Sequence, residues 1–118
     1  MAKAIKITET GTNELCERIR GGSGEIGCMQ HMPETYRNQS IKVLGYVAEA
    51  NKVNQMYIGT LTVQSMLDKG MTPESVFRTW NQGNDGPCFS DTNRFGIKFD
   101  SCQYVQKAMK NYKQLTLK

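Results

Sequence analysis

The chain has 118 residues, of which 38% are hydrophobic and 22% are charged, and its formal net charge is +4. This length suits one domain with a single core, so we treat residues 1–118 as one domain. The composition is that of an ordinary folded protein and excludes extensive disorder. No apolar run approaches the roughly 18 residues that a membrane-spanning helix needs, so we expect no membrane span.

The N-terminal part of the chain predicts a short helix followed by a long loop. Residues 2–9 can form a helix that Gly11 ends, although so short a helix needs tertiary packing. The stretch 10–27 contains five glycines and predicts an irregular loop. A helix is expected over about 30–36, with a proline tolerated in its first turn. Apolar residues over 41–47 suggest a further segment, broken by a glycine.

The C-terminal part predicts three more helices. The clearest runs over about 54–69, with an apolar stripe at helical spacing and a glycine after its end. A Thr-Pro-Glu sequence supplies an N-cap, a first-turn proline and an early acid for a helix over 72–80. Residues 82–100 are rich in Gly, Asn and Asp and predict a loop with at most a small hairpin. The last helix opens near Asp100, in a sequence that resembles a capping box. The fold class is therefore mainly α.

The four cysteines are even in number and widely spaced: Cys16, Cys28, Cys88 and Cys102. Disulfides 16–28 and 88–102 are plausible, because each would close a glycine-rich loop, but the sequence does not choose among the pairings. Four cysteines allow three pairings, and all four would stay reduced in a cytoplasm. There is no Cys-x-x-Cys motif and His31 is the single histidine, so we expect no metal site.

The net positive charge fits either an ordinary solvated surface or attraction to a polyanion such as a cell wall. The basic residues are scattered, and neither zinc-finger spacing nor an aromatic RNA-binding motif occurs, so we expect no nucleic-acid partner. The start of the chain lacks the apolar stretch of a secretory signal peptide.

Two short blocks carry a family resemblance. The first, Gly27–Pro33, reads Gly-Cys-Met-Gln-His-Met-Pro, and the second, Trp80–Gly83, reads Trp-Asn-Gln-Gly. In this order they resemble the Gly-x-Met-Gln-x-Met-Pro and aromatic-Asn-x-Gly blocks of the lytic transglycosylases, the goose-lysozyme-like enzymes that cleave bacterial cell-wall glycan. The resemblance extends from about residue 9 to 112. It implies a lysozyme-like domain of about five to six helices with glycine-rich loops.

The resemblance also implies a catalytic acid. In the family this is a glutamate at the end of the helix before the first block, usually followed by Ser or Thr, and Glu9 fits that place. Its competitors are Glu14 and Glu17, which fall within the predicted loop, and Glu25, at a position that is often a small residue in the family. A partly desolvated glutamate has a raised pKa and can protonate a glycosidic oxygen near neutral pH.

Residues of the first block would line the sugar groove near this acid. By resemblance, Gln30 bonds hydroxyl or N-acetyl groups and Met32 supplies an adaptable apolar wall. Met29 is expected in the core. His31 falls at the variable position of the block, and we expect it to be inert.

Residues farther along the chain would complete the groove. Trp80 could offer a face for sugar stacking and Asn81 could bond sugar or orient the acid, although a core tryptophan before a helix-ending turn is the alternative. Tyr104 matches a tyrosine of the family's last helix whose hydroxyl lies near the acid. Tyr57 is expected either in the groove or in the core.

The implied reaction is cleavage of the β-1,4 bond between N-acetylmuramic acid and N-acetylglucosamine, giving 1,6-anhydromuramyl ends. No second acid stands out, and a lytic transglycosylase needs one only, because the attacking 6-hydroxyl belongs to the same sugar. A hydrolytic muramidase and a glycan-binding module without turnover are the alternatives. No metal or organic cofactor is needed.

The expected partners are peptidoglycan glycan strands, and we expect a monomer. The setting implied is the cell envelope, the periplasm or the outside of the cell. The compact size suits a wall-penetrating module of a phage particle or a secretion apparatus.

Overall fold

The computed structural model describes residues 1–116, which form five α-helices, one short 3-10 turn and one β-hairpin. The helices are α1 (Ala2–Thr10), α2 (Pro33–Leu44), α3 (Lys52–Asp68), α4 (Pro73–Gln82) and α5 (Ser101–Thr116). The 3-10 turn is Cys16–Arg18, and the antiparallel strands of the hairpin are β1 (Ser90–Thr92) and β2 (Lys98–Asp100). The mainly α prediction is confirmed. Within the described residues, no helix is both long and apolar enough to cross a membrane.

Capping residues set the helix boundaries where the sequence predicts them. The Thr72 side chain accepts a hydrogen bond of 3.2 Å from the Ser75 backbone N–H at the start of α4, and Gly83 ends that helix in the left-handed conformation with φ 87°. At the start of α5, Asp100 accepts a bond of 3.1 Å from the backbone N–H of Gln103. Each cap satisfies an N–H group that a helix leaves without an internal partner.

One boundary prediction is wrong. The helix expected over 30–36 and the apolar segment expected over 41–47 form the single helix α2, which ends at Gly45 with φ 81°. The polar residues between the two segments keep helical backbone, since none of them is Gly or Pro. Helix α2 also begins later than expected, because Gln30 adopts a positive φ of 51° that a right-handed helix excludes.

The main core holds α1 in place between other elements. Helix α5 packs along both α1 and α4, and α1 also contacts α3. Ala4 and Ile5 of α1 are fully buried together with Met29 and Phe77. The short α1 is therefore fixed by tertiary packing, and its C-terminal end is held against α5.

The cysteines form two disulfides, Cys16–Cys28 and Cys88–Cys102, one of the three pairings that the sequence left open. The first is buried in the main core and joins the 3-10 turn to the Gly27–Pro33 block. The second joins the segment before β1 to the first turn of α5 and thereby closes the hairpin region. No free cysteine occurs in the part of the chain that the structure describes.

Candidate functional site

A cleft of about 840 Å³ crosses the face of the molecule on which α1 ends. Its walls come from α1, the 23–32 segment, the neighbouring sides of α2 and α3, the C-terminal half of α4 and the hairpin. The lining residues are mainly carboxyl, amide, hydroxyl, thioether and aromatic side chains. Such a mixture suits a ligand that has both polar groups and apolar faces.

Glu9 lies in the last turn of α1 and lines this cleft. Burial raises the pKa of its carboxyl from 4.5 to about 8, and the negative charge of Glu25, which lines the same cleft, adds to the increase. The next residue fixes this end of the helix, because the Thr10 hydroxyl donates a hydrogen bond of 3.0 Å to the Cys28 carbonyl oxygen. With a pKa of about 8 the Glu9 carboxyl is mainly protonated near neutral pH, and it is held beside the Gly27–Pro33 block.

Tyr104 is close enough to Glu9 for the charge of that acid to act on its phenol. Its side chain projects from α5 and is 9% exposed. The pKa of its phenol is raised well above the usual value, mainly by burial and secondly by the charge of Glu9. The hydroxyl is buried without a hydrogen-bond partner among the described residues. Tyr104 does not line the cleft, so the groove contact expected from the sequence is not seen, and its hydroxyl lies behind the cleft wall.

The Gly27–Pro33 block is a tight turn that presents side chains into the cleft. Ile26 and His31 exchange backbone hydrogen bonds of 2.7 and 3.2 Å across this turn. The Gln30 side chain donates a bond of 2.7 Å to the Gly27 carbonyl oxygen, and both Gln30 and Met32 line the cleft. Gln30 is therefore held in a fixed direction, with its amide oxygen still able to accept.

His31 also lines the cleft wall, which the sequence did not predict. The ring is 5% exposed, and its centroid lies 4.9 Å from that of Trp80 and 5.8 Å from that of Tyr36. Burial lowers its pKa to about 4, so the ring is neutral at physiological pH. No local signal could have revealed this, since both aromatic neighbours come from other elements.

The Trp80–Gly83 block forms the adjoining part of the wall. The Trp80 indole donates a hydrogen bond of 3.0 Å to the Met29 carbonyl oxygen, and Trp80 and Asn81 both line the cleft. The side-chain oxygens of Thr79, Asn81 and Gln82 are buried without partners.

The unpartnered polar atoms concentrate at this site. Among the described residues, five of the nine such atoms belong to cleft-lining side chains: both ring nitrogens of His31 and one oxygen each of Thr79, Asn81 and Gln82. A buried polar group without a partner costs about 1–3 kcal/mol. Part of the polar wall of the cleft is therefore held without internal hydrogen bonds.

The hairpin forms the remaining wall, and sequence reasoning missed it as part of the site. Asn93 donates a hydrogen bond of 2.7 Å from its side-chain amide to the Ser23 hydroxyl, which fastens the hairpin tip to the facing loop. Arg94, Phe95 and Ile97 at this tip line the cleft. The sequence feature that could have indicated this wall is the presence of aromatic and aliphatic residues inside an otherwise polar loop.

Tyr57 is not part of the site. Its side chain is 52% exposed and does not line the cleft, so its position contradicts both the groove contact and the core packing expected for it. The residues of α3 that face the cleft are Thr62 and Met66. At 3.6 residues per turn, Tyr57 points away from that direction.

One group of potential metal ligands occurs within residues 1–116: Cys16, Glu17 and Cys28. Its two cysteines are joined in a disulfide. They therefore have no thiolate to offer to a metal.

Comparison with known proteins gives no assignment: no protein-family model, no curated protein and no solved structure matches this chain significantly. The function is therefore inferred from the residues of the cleft and from the two sequence blocks that meet there.

Proposed function

We propose that this protein is a lytic transglycosylase with a lysozyme-like domain, which cleaves the bond between N-acetylmuramic acid and N-acetylglucosamine in peptidoglycan. The observation that carries the proposal is a desolvated carboxyl, Glu9, at the wall of an open cleft that the two family-like blocks both line. The geometry supports general-acid chemistry on an extended polar ligand. The choice of peptidoglycan as the substrate rests on the resemblance of Gly27–Pro33 and Trp80–Gly83 to the family.

In the proposed reaction Glu9 works first as an acid and then as a base. Its proton goes to the glycosidic oxygen as the bond from that oxygen to C1 of the muramic acid breaks. The resulting carboxylate then takes the proton of the 6-hydroxyl of the same sugar while that oxygen bonds C1, which closes the 1,6-anhydro ring. The intramolecular nucleophile supplies a large effective concentration.

Sugar recognition would use the remaining walls of the cleft. The amide side chains of Gln30 and Asn81 line the cleft and would bond hydroxyl and N-acetyl substituents. Trp80 and Met32 offer apolar surface to the faces of the sugar rings. This division of polar and apolar contacts fits a chain of pyranose rings.

A hydrolytic muramidase is the second candidate, because one observation favours it. Glu25 places a second carboxyl in the lining of the same cleft, and glycosidases that work with two carboxyls use the second one to activate water or to attack the sugar. Glu25→Gln distinguishes the two reactions. It should leave anhydro product formation largely intact in a transglycosylase and should abolish hydrolysis in a muramidase.

Digestion of purified peptidoglycan, with mass spectrometry of the released fragments, tests the proposal. Wild type should release anhydromuramyl fragments, and Glu9→Gln should reduce their release by at least a hundredfold, since general acid catalysis contributes about 10²–10⁴-fold. Glu49→Gln is the matched control, because Glu49 is exposed and lies outside the cleft. Reducing ends in place of anhydro ends would show hydrolysis. Binding to the wall without any release would show a glycan-binding module.

The proposed setting is the cell envelope or the outside of the cell. Disulfides persist in oxidising compartments, and the two in this chain agree with that setting. A module of a phage particle or of a secretion apparatus would meet peptidoglycan there.

A further inference from the structure

We propose that Arg94 binds a carboxylate of the substrate and thereby makes the cleft selective for glycans that carry anionic substituents. This inference rests on the proposed glycan cleavage. It adds a residue, at the tip of the hairpin, that lies outside both family-like blocks.

Arg94 is the one lysine or arginine among the cleft-lining residues that the structure describes. The ion pairs found within residues 1–116 are Lys52–Glu14 and Arg78–Asp85, neither of which involves Arg94. Arg94 is thus an exposed cation at the cleft that makes no ion pair with a carboxylate of the described residues. A ligand carboxylate is the chemical complement of such a group.

The turn that carries Arg94 is ordered by contacts of its neighbours. The Arg94 guanidinium carbon lies 4.8 Å from the ring centroid of Phe95, a distance that allows a cation–π contact. Asn93 shapes the turn, since its side-chain oxygen accepts from the backbone N–H groups of Phe95 at 2.9 Å and Ile97 at 3.1 Å. The Asn93 amide also bonds the Ser23 hydroxyl at 2.7 Å. The turn is therefore organised before any ligand binds, which reduces the ordering cost of binding.

Arginine suits this task because its planar guanidinium can donate two parallel hydrogen bonds to one carboxylate. Peptidoglycan offers carboxylates from two sources. One is the lactyl group of N-acetylmuramic acid where no peptide is attached, and the other is the stem peptide where one is. Polymers of N-acetylglucosamine alone have neither.

Isothermal titration of three soluble probes tests the assignment, in a Glu9→Gln background that prevents turnover. The probes are chitotetraose, a peptide-free tetrasaccharide that contains muramic acid, and the same tetrasaccharide with stem peptides. Arg94→Gln should weaken binding of at least one carboxylate-bearing probe by about tenfold, the loss expected for a charged hydrogen-bonding pair that is partly exposed. Its affinity for chitotetraose should stay unchanged. Arg94→Lys should recover part of the loss, because it keeps the charge without the planar fork.

Lys98→Gln is the matched control, since it removes the same charge from the same hairpin at a residue that does not line the cleft. It should bind all three probes as the parent does. A loss confined to the peptide-free probe identifies the lactyl carboxylate, and a loss confined to the stem-bearing probe identifies the peptide.

Two results would overturn the role of Arg94 and leave the proposed function standing: equal binding of all probes by Arg94→Gln and its parent, or an equal loss on chitotetraose. Failure of the parent to bind any of the three glycans would overturn the proposed function together with this inference.

Discussion

The indole Nε1 of Trp80 donates a hydrogen bond of 3.0 Å to the backbone carbonyl oxygen of Met29. This bond joins the Trp80–Gly83 block to the Gly27–Pro33 block, so the two sequence signatures are physically connected. Met29 is fully buried in the main core, whereas Trp80 lines the cleft. One wall of the site is therefore anchored to the core.

Replacing the tryptophan should show how strong this anchor is. Trp80→Phe keeps an aromatic ring but leaves the Met29 carbonyl without its partner, and we expect the free energy of unfolding to fall by about 1–3 kcal/mol. Urea denaturation followed by circular dichroism measures the change. Tyr46→Phe, at a residue that is 62% exposed, is the control and should shift stability by less than about 0.5 kcal/mol. An unchanged midpoint for Trp80→Phe would contradict the anchoring role.

Helix positions were predictable from the sequence because their signals are local. Caps such as Thr72 and Asp100, and the apolar stripe of α3, act within a few residues of where they stand. The extent of α2 was missed, since the sequence offered two short apolar patches where the backbone forms one helix. Glu9 became the candidate acid through the family resemblance. The hydrophobic periodicity of the sequence by itself predicts only that a helix ends near Glu9.

The hairpin wall and the burial of His31 were not predictable in the same way. The bond between Asn93 and Ser23 joins residues 70 positions apart, and no periodic pattern encodes such a contact. His31 is buried by Trp80 and Tyr36, which belong to two different helices. Long-range juxtapositions of this kind are decided by packing of the whole fold.

Activity should fall as pH rises through the pKa of Glu9. The carboxyl must be protonated to act as the acid, and burial raises its pKa from 4.5 to about 8. Initial rates on peptidoglycan, measured from about pH 5 to about pH 9, should therefore decline on the alkaline side near that value. Glu25→Gln should move the decline to lower pH, because the charge of Glu25 contributes to raising the Glu9 pKa. A rate that rises through this pH range would contradict the acid role.

The same shift affects stability with a defined sign. Between about pH 4.5 and pH 8 the folded protein keeps a proton on Glu9 that the unfolded chain releases, so the free energy of unfolding falls as pH rises through this window. The decrease amounts to at most about 5 kcal/mol, at about 1.4 kcal/mol per pKa unit. Glu9→Gln lacks this term, and its stability relative to wild type should increase from pH 5 to pH 8. A constant difference between the two proteins would show that Glu9 has an ordinary pKa.

Gln55 holds the Gly27–Pro33 turn through its side chain, and replacing it should lower the free energy of unfolding. Its fully buried side chain accepts a hydrogen bond of 2.9 Å from the Cys28 backbone N–H and donates one of 2.9 Å to the Ala50 carbonyl. Gln55→Leu has a similar volume but leaves both backbone groups unpaired, so we expect a loss of about 2–4 kcal/mol in the free energy of unfolding. Gln64→Leu, at an exposed position of the same helix, should change stability by less than about 0.5 kcal/mol. Equal effects of the two substitutions would contradict a supporting role for Gln55.

The two disulfides should differ in what their removal costs. They close loops of similar length, with sequence separations of 12 and 14 residues, so chain entropy alone contributes about 3 kcal/mol for each. Cys16 and Cys28 are fully buried in the main core, and their replacement by alanine also leaves a cavity, which adds to the loss of stability. The double replacement of Cys16 and Cys28 should therefore lower the midpoint of thermal unfolding more than that of Cys88 and Cys102.

The second pair should instead affect ligand binding more strongly. Cys88–Cys102 closes the hairpin region. The tip of the hairpin is joined to the facing loop by the side-chain hydrogen bond between Asn93 and Ser23. Without the disulfide the hairpin wall should lose order, and the affinity for the stem-bearing tetrasaccharide should fall while the helical circular dichroism signal stays unchanged. Thermal melts and titration of both double variants measure the two effects. The reverse pattern, in which the Cys88–Cys102 variant melts earlier but binds normally, would mean that the hairpin stabilises the fold and takes no part in the site.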